Sequence, residues 1–238
     1  MPGVTRKFFL QTMALLLSLE ASTDLCSVAL HERGQLMAIE RIHQPRAAAA
    51  QLAPAIKKLF DTGNCSRTDL KGVAIASGPG SYTGLRIVSS TAKGICSALN
   101  VPLVAVDTLS VLTAAVASAD DVSFYCPALD ARRDEIYFQL LDRSRQPLIA
   151  TTNHVVVKES FCDYLEQGPI LFFGNGAAKT IKILEHPNAR LLEGVEPDAD
   201  QLGLLAFEKW KAGKFESLEL FEPHYLKEFL IGRKPGIS

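Results

Sequence analysis

Short apolar runs separated by small polar turns dominate the first part of the chain. Residues 14–20 read as a buried strand and residues 21–24 as a turn. Residues 26–31 read as a second strand, Glu32-Arg33-Gly34 as a tight turn, and residues 35–42 as a third strand. Strands joined by short polar turns predict an antiparallel meander. The period then changes. Across residues 46–60, Ala48, Leu52, Ile56, Leu59 and Phe60 recur at helical spacing. Pro54 inside this stretch predicts either a kink or a regular helix that begins near Ala53. Residues 61–69 form a polar connection ending in a cap or turn.

Residues 72–77 are a short buried strand running into Gly78-Pro79-Gly80. A helix follows over 82–99, then a strand over 103–106 and a helix over 109–117. This succession requires parallel neighbours in one mixed sheet. The pattern repeats loosely afterwards. Strands are predicted over 122–129, 135–142 and 148–156, with a short helix closing at Tyr164-Leu165. A strand over 170–173 ends at Gly174-Asn175-Gly176, and a helix covers 201–211. The chain therefore divides into two similarly built α/β halves, 1–107 and 108–238, with the boundary near Asp107. Residues 1–13 are an extension, and a last helix is expected to pack back on the first half.

Composition narrows the class. A chain of 238 residues, 47% hydrophobic and 21% charged, suits one large globular domain or two small ones. The net charge of −1 supplies no global basic field, so an RNA contact is either local or supplied by a partner. The five cysteines (Cys26, Cys65, Cys96, Cys126, Cys162) are odd in number and irregularly spaced, as expected of free thiols in a reducing compartment. Arg6 and Lys7 before an apolar run superficially resemble a secretory signal. Gln11 and Thr12 interrupt that run, and a second strand follows it, which favours an extension and a first strand in a cytoplasmic protein. No apolar run reaches the ~20 residues of a membrane span.

Gly78-Pro79-Gly80-Ser81 joins a strand to a helix. Glycines open backbone angles closed to other residues, and a helix N-terminus favours an anion. Ser81 and Thr83 add hydroxyls. The spacing is neither a P-loop nor a dinucleotide fingerprint. The competing reading is a tight turn with Ser81 as N-cap. The helix that follows has two apolar sides. Leu85, Val88, Ala92, Ile95 and Leu99 form one, while Ile87, Thr91, Gly94 and Ala98 form a second of mostly small residues. Such a helix is buried on both sides, either inside the chain or against a subunit that also meets the 46–60 helix.

Several segments in this order resemble one family, the TsaB (YeaZ-like) subunits of bacterial tRNA threonylcarbamoyladenosine biosynthesis. They are Leu17–Thr23, Gly78-Pro79-Gly80-Ser81-Tyr82-Thr83-Gly84-Leu85-Arg86, Thr91–Gly94, Asp130–Tyr137, Gly174–Ala177 and Pro223–Lys227. The resemblance implies an actin-like ATPase (ribonuclease H-like) fold with two related subdomains. It implies a non-catalytic scaffold in the modification of adenosine 37 in tRNAs reading codons that begin with A. The implied partners are a TsaD-like catalytic subunit and a TsaE-like ATPase, with homodimers in their absence and tRNA met indirectly.

The expected interface is Leu52, Ile56, Leu85, Val88, Thr91, Gly94, Ile95 and Ala98. Ser22, Thr23, Gly78, Gly80, Ser81 and Thr83 would form a vestigial phosphate loop, binding ATP or ADP only weakly or within the complex. No metal is expected, because no two of His31, His43, His154, His186 and His224 share a helix face. Kin of the fold usually end the first strand in aspartate; Glu20 stands here. Asp130 either faces the cleft or serves as a turn carboxylate, and Arg132 and Arg133 read as solvated or ion-paired. The alternatives are an independent nucleotide-dependent enzyme or peptidase, and a secreted binding protein.

Overall fold

A computed structural model describes residues 14–44, 48–119 and 121–226. The first meander is β1 (Leu15–Glu20), β2 (Leu25–Glu32) and β3 (Gln35–His43), followed by helix α1 (Ala48–Gly63). Next come β4 (Leu70–Ala76), α2 (Tyr82–Leu99), β5 (Leu103–Val106) and α3 (Thr108–Ala114). The second half holds β6 (Phe124–Asp130), β7 (Glu135–Asp142), β8 (Pro147–Val155), α4 (Cys162–Leu165), β9 (Ile170–Phe173), α5 (Ala177–Leu184) and β10 (Ala189–Leu192). The chain then returns through α6 (Ala199–Lys211).

The sheet orders are β3-β2-β1-β4-β5 and β10-β9-β6-β7-β8. Read from the third strand of each meander, the two orders are identical. In each half the central strand pairs antiparallel with its meander neighbour and parallel with the strand after the helix. This is the two-subdomain actin-like ATPase fold. Where helix and strand periods were clear, the observed elements match the expected ones, α2 to the residue. Pro54 lies inside a continuous α1, exposed, so it neither starts nor ends the helix. The expected start at Arg46 lies outside the described residues. Helix α5 and strand β10 were not expected: the strand is four residues long, at a sheet edge, without a buried alternation.

Alternation along β1 gives the first sheet two different faces. Leu15, Leu17, Leu19 and Ala21 join the apolar core under α1 and α2. Between them, Ser18 and Glu20 are fully buried on the opposite face, as are Ser27 and His31 of β2. Helix α6 covers that face. Asp198 caps it and forms an ion pair with Arg41 of β3. The Ala199 amide donates to Ser27 Oγ at 2.9 Å, and His31 Nε2 donates to the Asp200 carbonyl at 3.0 Å. At the other end, Lys209 Nζ donates to the Ala105 carbonyl and Trp210 Nε1 to the Lys71 carbonyl. Burial holds the His31 pKa below its ordinary value, so the ring is neutral and Nε2 carries the proton.

The His31 ring packs closely against Gly203 of α6. A Cβ at residue 203 would sit 2.1 Å from two ring atoms. Gly203→Ala is therefore expected to lower unfolding free energy by about 2 kcal/mol, the range of core overpacking. Urea denaturation at neutral pH checks this.

Candidate functional site

The C-terminal ends of β1 and β4 meet at the glycine loop. The fit there is close: a Cβ at Gly84 would lie 1.9 Å from the Ala21 carbonyl oxygen. Gly78 holds φ +104, and a Cβ there would meet the His224 carbonyl at 2.8 Å. Only glycine satisfies either position. Ser81 is the N-cap, its Oγ accepting from the Gly84 amide.

Two of the loop's amides are used inside the chain. Ser81 N–H donates to the Ser22 carbonyl at 2.7 Å, and Gly78 N–H donates to Thr108 Oγ1 at 3.2 Å. Gly80 leans on Ser22. Ser22 is itself buried and bonded to Glu20, Thr23 is half-buried, and Thr83 is exposed. The six expected phosphate-loop residues are thus brought together. The donors of Ser22, Gly78 and Ser81 close the turn, as the N-cap reading describes, while Thr23 Oγ1 is buried without a hydrogen-bond partner.

Glu20 is fully buried. Its Oε1 accepts from the Ser22 amide at 2.6 Å and the Ser22 hydroxyl at 2.5 Å. Its Oε2 is buried without a hydrogen-bond partner. Desolvation, with a lesser contribution from the Asp198 charge, raises its pKa from 4.5 to about 7. A carboxyl in this state suits structure better than holding a cation. Among the described residues no group of three His, Cys, Asp or Glu is placed to hold a metal ion.

The second half repeats the arrangement at Gly174-Asn175-Gly176. Asn175 Oδ1 accepts from the Asp130 amide at 2.8 Å. Asp130 accepts from the Arg132 amide and from Lys179 Nζ at 2.5 Å, so it is an ion-paired turn carboxylate. Arg132 and Arg133 are exposed at left-handed φ of 71° and 52°. Among the described residues one Ser–His side-chain contact is present, His154 Nε2 to Ser160 Oγ at 2.8 Å. Ser160 Oγ also accepts the Val157 amide, and among the described residues no carboxylate bonds His154, so the pair caps a turn.

The expected interface residues divide. Leu52, Leu85 and Val88 are at most 3% exposed, which leaves no surface for a partner to touch; Leu52 and Val88, with Ile56, belong to the first sheet's core. The inward stripe of α2 is Gly84, Leu85, Val88, Ser89, Ala92 and Cys96. Ser89 and Cys96 complete its i, i+3, i+4, i+7 pattern, which leaves Ile95 and Leu99 on the flank. Thr91, Ile95 and Ala98 instead line a groove of about 380 Å³ between α1 and α2. Ile56 and Phe60 form its other wall, Leu17 and Leu70 its floor, and Lys57 and Arg67 its rim. Gly94 is exposed beside it, with open space where a Cβ would stand.

One arrangement was not anticipated. After α6 the chain crosses the edge of the first sheet, where Glu216 bridges Leu103. It then runs along α2 to the glycine loop, where the His224 amide donates to the Ser77 carbonyl at 2.7 Å. Tyr225 lies against Tyr82, ring centroids 4.9 Å apart. The segments Gly78–Arg86 and Pro223–Lys227 were read as separate signatures; their described residues touch.

The architecture and glycine turns define a protein of the actin-like ATPase fold whose would-be phosphate loop is packed against its own chain. Residues 42–170 match the family model described as TsaD: tRNA N6-adenosine threonylcarbamoyltransferase. The chain is 26% identical to the Escherichia coli tRNA threonylcarbamoyladenosine biosynthesis protein TsaB, over 93% of this chain and 98% of that protein. It is 26% identical to the Bacillus subtilis protein of the same name, over 71% of this chain and 75% of that one. A crystal structure from Pseudomonas aeruginosa, described as similar to peptidase YEAZ, superposes with a TM-score of 0.77 at 27% identity, covering 90% of this chain and all (100%) of that one. The chain belongs to the TsaD family and, within it, to the TsaB (YeaZ-like) group.

Glu20 gives this site a pH signature. Folding raises its pKa from 4.5 to about 7, so the protonated form favours the fold; its contribution is full below pH 4.5 and is lost as pH rises through about 7. Glu20→Gln is expected to gain about 3 kcal/mol over wild type at pH 8.5 relative to pH 4.5. Urea titrations of both proteins at the two pH values measure this; parallel stability curves would contradict the burial argument.

Proposed function

We propose that this chain is a non-catalytic scaffold in the synthesis of threonylcarbamoyladenosine at position 37 of tRNAs reading codons that begin with A. Its role is to hold the catalytic threonylcarbamoyltransferase subunit at the α1–α2 groove. One observation carries the reading: an apolar groove with a small-residue wall lies open to a partner helix on the first subdomain. The names of the relatives and the matched family model support the pathway. A small ATPase joins the assembly, tRNA is met within it, and without the catalytic subunit the groove pairs two copies of this chain.

Chemistry by the chain alone has little support. The glycine loop spends its Gly78 and Ser81 amides internally, and Glu20 has no exposed surface. Isothermal titration of the isolated chain with Mg-ATP is expected to give no saturable binding in the micromolar range. Micromolar binding with turnover would instead mark an independent enzyme.

Gly94→Glu tests the groove. The side chain enters open space, so folding is expected to be unchanged. Co-purification with the catalytic subunit should fall to background, because a buried unpaired carboxylate costs several kcal/mol at an interface. Normal yield of the heterodimer would remove the groove from the assembly.

A further inference from the structure

The contact between α2 and the C-terminal segment leaves cations beside aromatic rings along one stripe. Arg86 places its guanidinium 5.3 Å from the Tyr82 ring centroid and donates to the Tyr82 hydroxyl at 3.0 Å. Tyr225 stacks obliquely on Tyr82 and remains 39% exposed. Two turns along α2, Lys93 Nζ lies 5.9 Å from the Phe221 ring centroid. The Arg86–Lys93 spacing is about 10 Å along the helix. Arg86 is exposed, as are Ser81 and Thr83 at the start of the same helix. Burial raises the Tyr225 phenol pKa, with Tyr82 and Glu222 adding to the rise and Arg86 opposing it.

We infer that Tyr225, Tyr82 and Arg86 form a stacking platform for an unpaired base of single-stranded RNA, with Arg86 and Lys93 tracking its phosphates. An exposed aromatic face such as that of Tyr225, set beside a cation, can hold an unstacked base without a net basic charge, and the net charge of this chain is −1. Position favours an RNA occupant over a further protein contact. Ile95 on the groove wall follows Arg86 by nine residues of the same helix, about 13 Å. A catalytic subunit seated in the groove, as proposed above, would stand within about 13 Å of the cluster along α2, and we take its bound tRNA to reach this end of the helix. The inference rests on the proposed function for the identity of that RNA.

The test uses a fluorescein-labelled tRNA anticodon stem-loop containing adenosine 37. Anisotropy titrations are run with the full chain alone and mixed with the catalytic subunit, and co-purification is scored in parallel. Tyr225→Ala and Arg86→Glu are each expected to weaken hairpin binding about tenfold, while Tyr225→Phe stays within about twofold. Binding to a fully paired RNA of equal length should be unaffected by Tyr225→Ala. Arg86→Glu should also reduce the dependence of affinity on salt.

Hairpin affinities within twofold of wild type for both Tyr225→Ala and Arg86→Glu would overturn the platform. So would loss of co-purification with hairpin binding intact, which would make the cluster a protein contact. Should Tyr225→Ala not fold, the exposed Arg86→Glu decides alone. Should the wild-type chain not bind the catalytic subunit, the groove reading fails by itself. The platform is then judged on the isolated chain, where tenfold weakening supports it and unchanged or undetectable wild-type binding refutes it.

Discussion

The functional end of the molecule depends on one close approach, that of the first turn of α2 to the β1–β2 turn. There is no room for a methyl group between Gly84 and the Ala21 carbonyl. That contact draws the Ser81 amide onto the Ser22 carbonyl and sets where the eighteen-residue helix begins. The groove, the exposed face around Gly94 and the Tyr225 cluster are all carried on that helix, so all inherit its placement. In a phosphate-binding member of such a fold, the same amides would be held open for a ligand. Here the turn of the neighbouring strand takes that place.

The two faces of the first sheet divide the labour. The face under α1 and α2 is apolar and packs by shape, leaving a groove where the two helices diverge. The opposite face mixes an apolar patch, where Ala74, Val104 and Val106 meet Leu202 and Ala206, with the buried polar groups Glu20, Ser27 and His31 beneath α6. Orphaned atoms at Glu20 Oε2, Ser18 Oγ and His31 Nδ1 mean that this face gives up stability. What it gains is a single seating for α6, fixed by directional bonds from Arg41, Ser27 and His31.

Much of the fold was legible because its local signals agree. The Ser81 cap, the apolar stripe and the left-handed Asn100 bound α2 from both ends. Repetition of meander, helix, strand and glycine turn announced two related halves. The inward face of α2 was misread because Ser89 and Cys96 do not look like core residues, although a helix buries whatever lies at its i+4 positions. At Glu20 the substitution was visible but its burial was not, because desolvation comes from α6, which begins some 180 residues later. The Tyr82–Tyr225 contact was hidden for the same reason: periodicity and capping are local, and nothing in either segment names its partner. Strand β10, four residues at a sheet edge, gave no periodic signal at all.

The path of the chain has a consequence for synthesis. The first sheet's last strand, β5, ends at Val106, yet the helix that covers one face of that sheet ends at Lys211. A nascent chain therefore displays Ala74, Val104 and Val106, together with the ionisable Glu20 and His31, through the whole translation of the second subdomain. The first subdomain is completed by a helix that begins in about the last sixth of the chain, so covering this face waits on its translation. A message truncated after the second subdomain but before α6 would yield two sheets and a sticky surface, which makes this product a natural client for chaperones and proteases.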